Sequence, residues 1–431
     1  MNKLNRRNFL KAGGAAVAAT GFMAYAPLSF GASKKVVIVG GGMAGTTAAK
    51  YIRMMDDSVE VTLIEANPDY YTCFMSNEVI TGHRDINNIK FGYDGVKGHG
   101  VNVVIDKVTG IDAEKKVVMT AGGTKHSYDR CIVAPGISFK WDTIEGYDEK
   151  VAETITHAWK AGPQTVTLQN QLKDMKDGGT VVIGTPPNPF RCPPGPYERI
   201  SLIADYLQTH KPKSKIIVLD PKDKFSKFGW FMSAWKRHYG YGTDNSMIEW
   251  IKGSDGGVIT SVDAATNTVE AVAGSFKGDV VNIIPPQKAG TIADVVGLSN
   301  ADGWCPVEGK TFESTLHANI HVVGDAALAS PMPKSGYAAS SQGKVAAAAV
   351  VALLNGEDAP HPTYVNTCYS VVKPGEGISV AAVYGYGEGK IFKVKGAGGL
   401  TPNDEIDLDS RAREEKYGHS WFNNITADTF G

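Results

Sequence analysis

The 431-residue sequence predicts an α/β protein with two Rossmann-like nucleotide-binding domains, the second degenerate, and a C-terminal α+β interface domain. Three observations predict it. An apolar strand over residues 35–39 runs into Gly40-x-Gly42-x-x-Gly45 and an alanine-rich helix, and the strand that follows, 59–65, ends in the acid Glu65. A second strand of the same kind, 179–184, opens a second unit whose next strand, 215–220, also ends in an acid, Asp220. In that second unit the glycine turn is replaced by a proline-rich loop around Cys192, TPPNPFRCPPGPYE over residues 185–198.

Strand, GxGxxG, helix, strand and acid together form the full context of a dinucleotide fingerprint. The glycines allow a tight turn, close approach to a pyrophosphate and helix packing, and the acid meets a ribose hydroxyl. A dinucleotide is therefore expected on Gly40, Gly42, Gly45 and Glu65. Proline has no N–H to donate and fixes its own φ, so the second loop is a poor anion cradle. The plainer reading is a surface connection, because proline clusters usually are loops. A chain built like a two-nucleotide flavoenzyme is thus expected to hold FAD and to have lost its NAD(P)H site. Its electrons then come from something other than a nicotinamide, with Cys192 where that donor would sit.

The other elements follow in order. Residues 1–31, with Arg6 and Arg7 ahead of a Gly/Ala-rich run, read as a twin-arginine export signal, so the mature protein is expected in the periplasm. Asn5 stands where Ser or Thr is commoner. The first part of the FAD domain spans 32–158, with further strands at 101–105, 116–119 and 128–136. The degenerate NAD-binding-like domain spans 159–286, with a helix over 197–210 and a return strand at 280–286. The FAD domain resumes over 287–355, where the strand 320–326 places Gly324 and Asp325 just past a buried run and a small-residue helix covers 341–354. Residues 356–431, rich in Gly, Pro and Tyr, form the interface domain. No segment beyond the signal reads as apolar enough to span a bilayer.

A hydrophobic share of 42% over this length supports two or three domains with substantial cores. Losing Lys3, Arg6, Arg7 and Lys11 with the signal, and no acid, takes the net charge from -1 to -5. That mild acidity argues against nucleic acid and against an anionic membrane surface. The five cysteines, 73, 131, 192, 305 and 368, include no CxxC and no CxxCH, so the chain has neither a thioredoxin-like dithiol nor its own c-type haem. Well-separated cysteines pair across a fold in an oxidising compartment, but spacing does not say which. The ten histidines show no metal-ligand spacing, and no metal is expected. Cys131 and Cys305 read as packing thiols.

These motifs, with the segments YYTCFMSNEV (70–79), PFRCPPGPYE (189–198), PMPKSGYAASSQGK (331–344) and NTCYS (366–370), carry a resemblance over the whole mature chain. The sequence resembles the glutathione-reductase-like disulfide-reductase flavoproteins, and within them the flavoprotein subunits of flavocytochrome c sulfide dehydrogenases. The resemblance implies FAD linked covalently through Cys73, a redox-active disulfide between Cys192 and Cys368, oxidation of hydrosulfide to sulfur or polysulfide, and transfer of electrons to a c-type cytochrome subunit that carries the haem.

The chemistry is consistent with that. A disulfide accepts attack by a sulfur nucleophile, giving a persulfide and a free thiolate. Glu198 near a helix start is a candidate proton acceptor, or an ordinary carboxylate favoured by the helix dipole. Lys334 is a candidate cofactor contact at the flavin pyrimidine end, or a solvated surface lysine. The Gly/Pro/Tyr-rich segment 356–431, with Trp421 and Phe422 near its end, is expected to form the cytochrome-docking surface, or else these aromatics cap the chain's own core. A sulfide:quinone reductase shares the disulfide chemistry but needs a quinone pocket and a membrane-binding segment, and no basic amphipathic helix is evident in the C-terminal region. A non-catalytic flavin electron-transfer or assembly subunit would not need a cysteine pair at the flavin.

Overall fold

The computed structural model describes residues 33–402 and 407–431, so the export signal lies outside the described residues. Strand β1 (Lys35–Val39) is buried from Val36 to Val39. A strand apolar on both faces belongs inside a parallel sheet covered by helices. The chain turns at Gly40 into α1 (Met43–Met55) and continues through β2 (Glu60–Glu65), β3 (Asn102–Ile105) and β4 (Arg130–Val133). The second unit repeats the pattern with β5 (Thr180–Gly184), α2 (Gly195–His210), β6 (Lys215–Leu219), α3 (Phe228–Tyr239), β7 (Ile248–Ile251) and β8 (Val280–Ile283). Its four strands are parallel, in the order β7-β6-β5-β8.

The chain then returns to the first sheet through β9 (Ile320–Val322), which pairs with β4 and completes the parallel order β9-β4-β1-β2-β3. Cys131 on β4 lies between Val37 and Ile320 in that register, fully buried as a packing thiol should be. Helix α4 (Gly336–Leu354) packs on α1. A Cβ on Gly343 would stand 2.5 Å from the carbonyl oxygen of Ala44, so only glycine permits this approach. By length and composition α4 could cross a membrane, which corrects the expectation that nothing beyond the signal could. Most of it is buried, packed on α1 and on the strand 363–373, so it is a core helix.

The last segment forms an antiparallel sheet, β10 (Thr363–Lys373), β11 (Glu376–Gly387) and β12 (Lys390–Leu400), followed by the helix α5 (Leu408–Phe430). The Gly/Tyr composition suggested the strands but hid this helix. One side of α5 packs on the segment between β2 and β3. Phe430 stacks on Tyr70 and Phe91, and Phe422 lies between Phe74 and Phe91. Phe422 is therefore a core residue and not part of the docking surface expected on the 356–431 segment. Phe422 is buried, and Trp421 packs on Phe74, Tyr337 and Tyr369. Burying these rings in the chain's own core is worth more than leaving them exposed for a partner.

Candidate functional site

Where the first sheet, the second unit and the β10–α5 segment meet, a cavity of about 640 Å³ opens. Gly40, Gly42, Glu65, Cys73, Cys192, Gly324, Asp325, Lys334 and Cys368 all border it. Gly45 and Glu198 do not. Gly45 acts instead on the turn itself: a Cβ there would fall 1.9 Å from the carbonyl oxygen of Gly40, so its absence lets α1 start against the strand. Gly40 has φ +101° and would drive a Cβ into the Ala134 carbonyl oxygen at 2.3 Å. Glu65 receives the Gly41 N–H at 2.7 Å and the Asn67 N–H at 3.0 Å, which fixes its carboxylate at the end of β2 beside the turn.

Among the described residues, three buried polar atoms on residues bordering this cavity have no partner, Asp325 Oδ1, Arg191 Nε and Trp421 Nε1. Leaving such groups unpaired costs free energy, which a polar ligand recovers. A glycine turn at a helix N-terminus, an acid at the end of β2 and unpaired polar atoms further along fit a dinucleotide such as FAD. Arg191 escaped the sequence reading, although it adjoins Cys192. Its guanidinium donates to the Trp159 carbonyl and lies 3.8 Å from Asp325, and the surrounding anionic groups hold its proton more firmly than usual despite burial. Lys334 is partly buried rather than a solvated surface lysine. Its Nζ donates to the carbonyls of Asp325 and Ala327, and burial lowers its pKa to about 8.

Cys192 sits in the proline-rich loop with φ +55°, a conformation few non-glycine residues adopt, and its N–H donates to the Lys334 carbonyl at 2.7 Å. Cys368 comes from the middle of β10. Both are free thiols, as are Cys73, Cys131 and Cys305. Burial, then the nearby Glu198 and Cys368, push the Cys192 thiol well above its ordinary pKa. A second, narrower cavity of about 60 Å³, room for a few waters, is bordered by Cys192 and Glu198 and reaches Glu414, Glu415 and His419 of α5. Cys192 borders both cavities, Cys368 only the larger and Glu198 only the narrower.

Glu198, in the first turn of α2, is more than a helix-start carboxylate. It receives the Val371 N–H at 2.9 Å and the Asn77 Nδ2 at 2.8 Å, and burial outweighs these bonds to raise its pKa. Asn77 is in turn held by Arg199, whose side chain also donates to the carbonyls of His157 and Ala158 and to Asn282. Asn77 lies in the 70–79 motif and Arg199 just past the 189–198 motif, but neither motif gave them this role.

The second unit's equivalent of Glu65 is spent elsewhere. Asp220 is fully buried and takes bonds from Tyr197 Oη at 2.7 Å, Lys222 Nζ at 2.8 Å and Trp250 Nε1 at 3.1 Å. Lys222 also donates to Thr185 and to the Pro186 carbonyl, and Tyr197 stacks on Phe225 at 3.4 Å. The turn that would hold a second pyrophosphate is thus tied down by its own side chains.

This is the architecture of the two-domain disulfide-oxidoreductase flavoproteins. The pyridine nucleotide-disulphide oxidoreductase family matches residues 34–185, ending where the proline-rich loop begins. The central region of the sulfide dehydrogenase (flavocytochrome c) flavoprotein chain matches 165–285, and the flavin-binding region of flavocytochrome c sulphide dehydrogenase matches 360–430. A sulfide dehydrogenase flavoprotein chain from Chlorobaculum thiosulfatiphilum is 49% identical over 47 residues, 11% of this chain and 98% of that one. The chain belongs to the family of flavocytochrome c sulfide dehydrogenase flavoprotein chains. The mouse mitochondrial sulfide:quinone oxidoreductase is 20% identical over 68% of this chain and 65% of its own length. The solved sulfide:quinone oxidoreductase of Aquifex aeolicus shares the fold, with a TM-score of 0.69 at 16% identity over 92% of each chain. A twin-arginine signal sequence matches residues 3–23, which directs the protein to the periplasm.

Proposed function

We propose that this chain is the FAD-carrying subunit of a periplasmic sulfide dehydrogenase. It oxidises sulfide to sulfur or polysulfide through a disulfide between Cys192 and Cys368 and passes electrons to a c-type cytochrome subunit. The observation that carries the reading is that two cysteines far apart in sequence border the one cavity with the retained glycine turn, while the second unit's acid is locked away. FAD bound there would supply a two-electron acceptor able to pass electrons on singly. Gly40, Gly42 and Glu65 hold its dinucleotide on the turn that Gly45 allows to close, Gly324, Asp325 and Lys334 hold its flavin end, and Cys73 anchors it by a thioether. Glu198, with its raised pKa and its place on the narrow cavity, takes the proton of hydrogen sulfide. Hydrosulfide attacks Cys192; a Cys192 persulfide forms, the disulfide bond breaks, and the electron pair leaves on Cys368. The domain limits given above, and a partner held by exposed residues of the 356–431 segment such as Tyr417, belong to the same proposal.

The test is flavin reduction by sulfide in Cys192→Ser and Cys368→Ser. Both variants are expected to retain FAD and to lose at least about a hundredfold in bleaching rate, as removal of a nucleophilic or electrophilic centre does. Wild-type bleaching in either would overturn the disulfide reading. Native purification from the source periplasm is expected to bring down a c-type cytochrome; a lone flavoprotein that reduces quinones and ignores cytochromes c would replace this acceptor with a quinone.

A further inference from the structure

Among the described residues, Lys227 is a buried cation with no carboxylate hydrogen-bonded to it. It precedes α3 with φ +61°, is 7% exposed, and sends its Nζ to the Cys368 carbonyl at 2.6 Å, the Ser370 hydroxyl at 3.0 Å and the Ile378 carbonyl at 3.3 Å. These three acceptors belong to β10 and β11, so a side chain from the second unit is fastened onto the strand that carries Cys368, at Cys368 itself. Neutral acceptors on β10 and β11 could be satisfied by a hydroxyl or an amide. A buried ammonium is a costly choice for that task alone, and it persists where a negative charge compensates it. Burial lowers its pKa to about 8, and the groups that oppose this are Cys368 first, then Glu198, Cys192 and Glu414.

We infer that Lys227 is a positioning residue whose ammonium holds the Cys368 strand and balances the thiolate left on Cys368 when the Cys192–Cys368 bond is opened. The inference rests on the disulfide reading above. In that step hydrosulfide brings one negative charge; a sulfur–sulfur bond forms at Cys192, the Cys192–Cys368 bond breaks, and the charge and electron pair end on Cys368. The total charge is unchanged, but it moves from a mobile ion in water to a fixed sulfur on β10. A cation already fixed on the backbone of that cysteine meets it there without reorganisation. Of the other ionisable groups near Lys227, which are Glu198, Cys192 and Glu414, Glu198 serves the Cys192 side, so the two sulfurs have opposite charges set against them.

The test uses the intact FAD-bound protein, reduced anaerobically with dithiothreitol and pulsed with iodoacetamide at pH 7, with alkylation of each cysteine peptide read by mass spectrometry. Lys227→Met is expected to slow alkylation of Cys368 by at least about tenfold relative to Cys192 in the same sample, the effect of losing one close opposite charge. Lys227→Arg is expected to stay within about threefold of wild type, because the charge remains. Unchanged Cys368 alkylation in a folded, FAD-loaded Lys227→Met would overturn the inference, since a purely structural strut does not select one thiol. Should Lys227→Met not fold, the unaltered protein still decides: Cys368 is expected to be alkylated ahead of Cys192, and the reverse order overturns the inference. Sulfide enters nowhere in this measurement, so a protein that failed to oxidise sulfide but showed these alkylation ratios would sink the proposed function and leave Lys227 its role.

Discussion

The two nucleotide-binding units begin alike, with a buried five-residue strand leading to a turn and a helix. In the first, the turn is glycine, the acid at the end of β2 is bonded only to neighbouring backbone and Asn67, and unpaired polar atoms border the cavity beyond. In the second, the turn is proline and cysteine, and the acid at the end of β6 is consumed by Tyr197, Lys222 and Trp250. The contrast separates what the fold needs from what a ligand needs. A parallel sheet with a covering helix survives either loop, but only the first leaves donors and an acid free to bind. The second unit's loop instead holds Cys192, at φ +55°, on the edge of the cavity beside the first unit's turn.

The largest expected effect lies at the turn. Gly45→Val puts side-chain atoms against the Gly40 backbone, which cannot yield as a flexible side chain would, and is expected to cost about 3 kcal/mol or more and to give protein without FAD. Absorbance and thermal unfolding check it; a stable, yellow variant would break the comparison. Next, Asp220→Ala removes one partner of a buried charged cluster and is expected to cost about 3–5 kcal/mol, read by denaturant unfolding at matched FAD content. In a working nicotinamide site the same change would chiefly alter cofactor affinity, so an undiminished stability would contradict the assignment. A third experiment sharpens the contrast from the other side: converting Pro186 and Pro187 to glycine restores backbone freedom but leaves Asp220 engaged. NADH is therefore still expected to bleach the flavin negligibly.

A smaller effect comes from two buried histidines near these units. Burial, with neighbouring cations, lowers His157 to about 3, and burial lowers His321 to about 4, both from an ordinary value of 6.5. The unfolded chain then takes up protons that the folded chain refuses, so stability falls as pH drops from about 6.5 toward those values, by at most about 1.4 kcal/mol per group per pH unit. Above 6.5 the two contribute no slope. His157→Gln is expected to flatten the acid limb of the unfolding-temperature profile, and an unchanged limb would show that His157 does not titrate there.

Much of this was legible in the sequence because it was local. Period, glycine spacing and terminal acids give both sheets, and the proline loop marks where the second unit departs from the first. Cys131 and Cys305 read correctly as packing thiols from their apolar surroundings. The misses are tertiary. Helix α5 follows a Gly-rich stretch and has no strong amphipathic stripe, so its side chains suggested a surface until Phe74, Phe91 and Tyr70 covered them. Asn77, Arg199 and Lys227 reach the site from three separate elements, and although Asn77 lies inside the 70–79 motif and Arg199 adjoins the 189–198 motif, neither motif gives them a role. Only folding shows that one orients Glu198, one anchors the first, and one meets Cys368.

The central claim is that the first unit kept its ligand while the second gave up a nicotinamide for a sulfur donor. Anaerobic stopped-flow spectroscopy of the FAD-bound protein measures this directly. Sulfide is expected to bleach the flavin stoichiometrically and fast, and NADH and NADPH to leave it oxidised over the same period. Saturable bleaching by either nicotinamide at ordinary concentrations, with none by sulfide, would contradict the account.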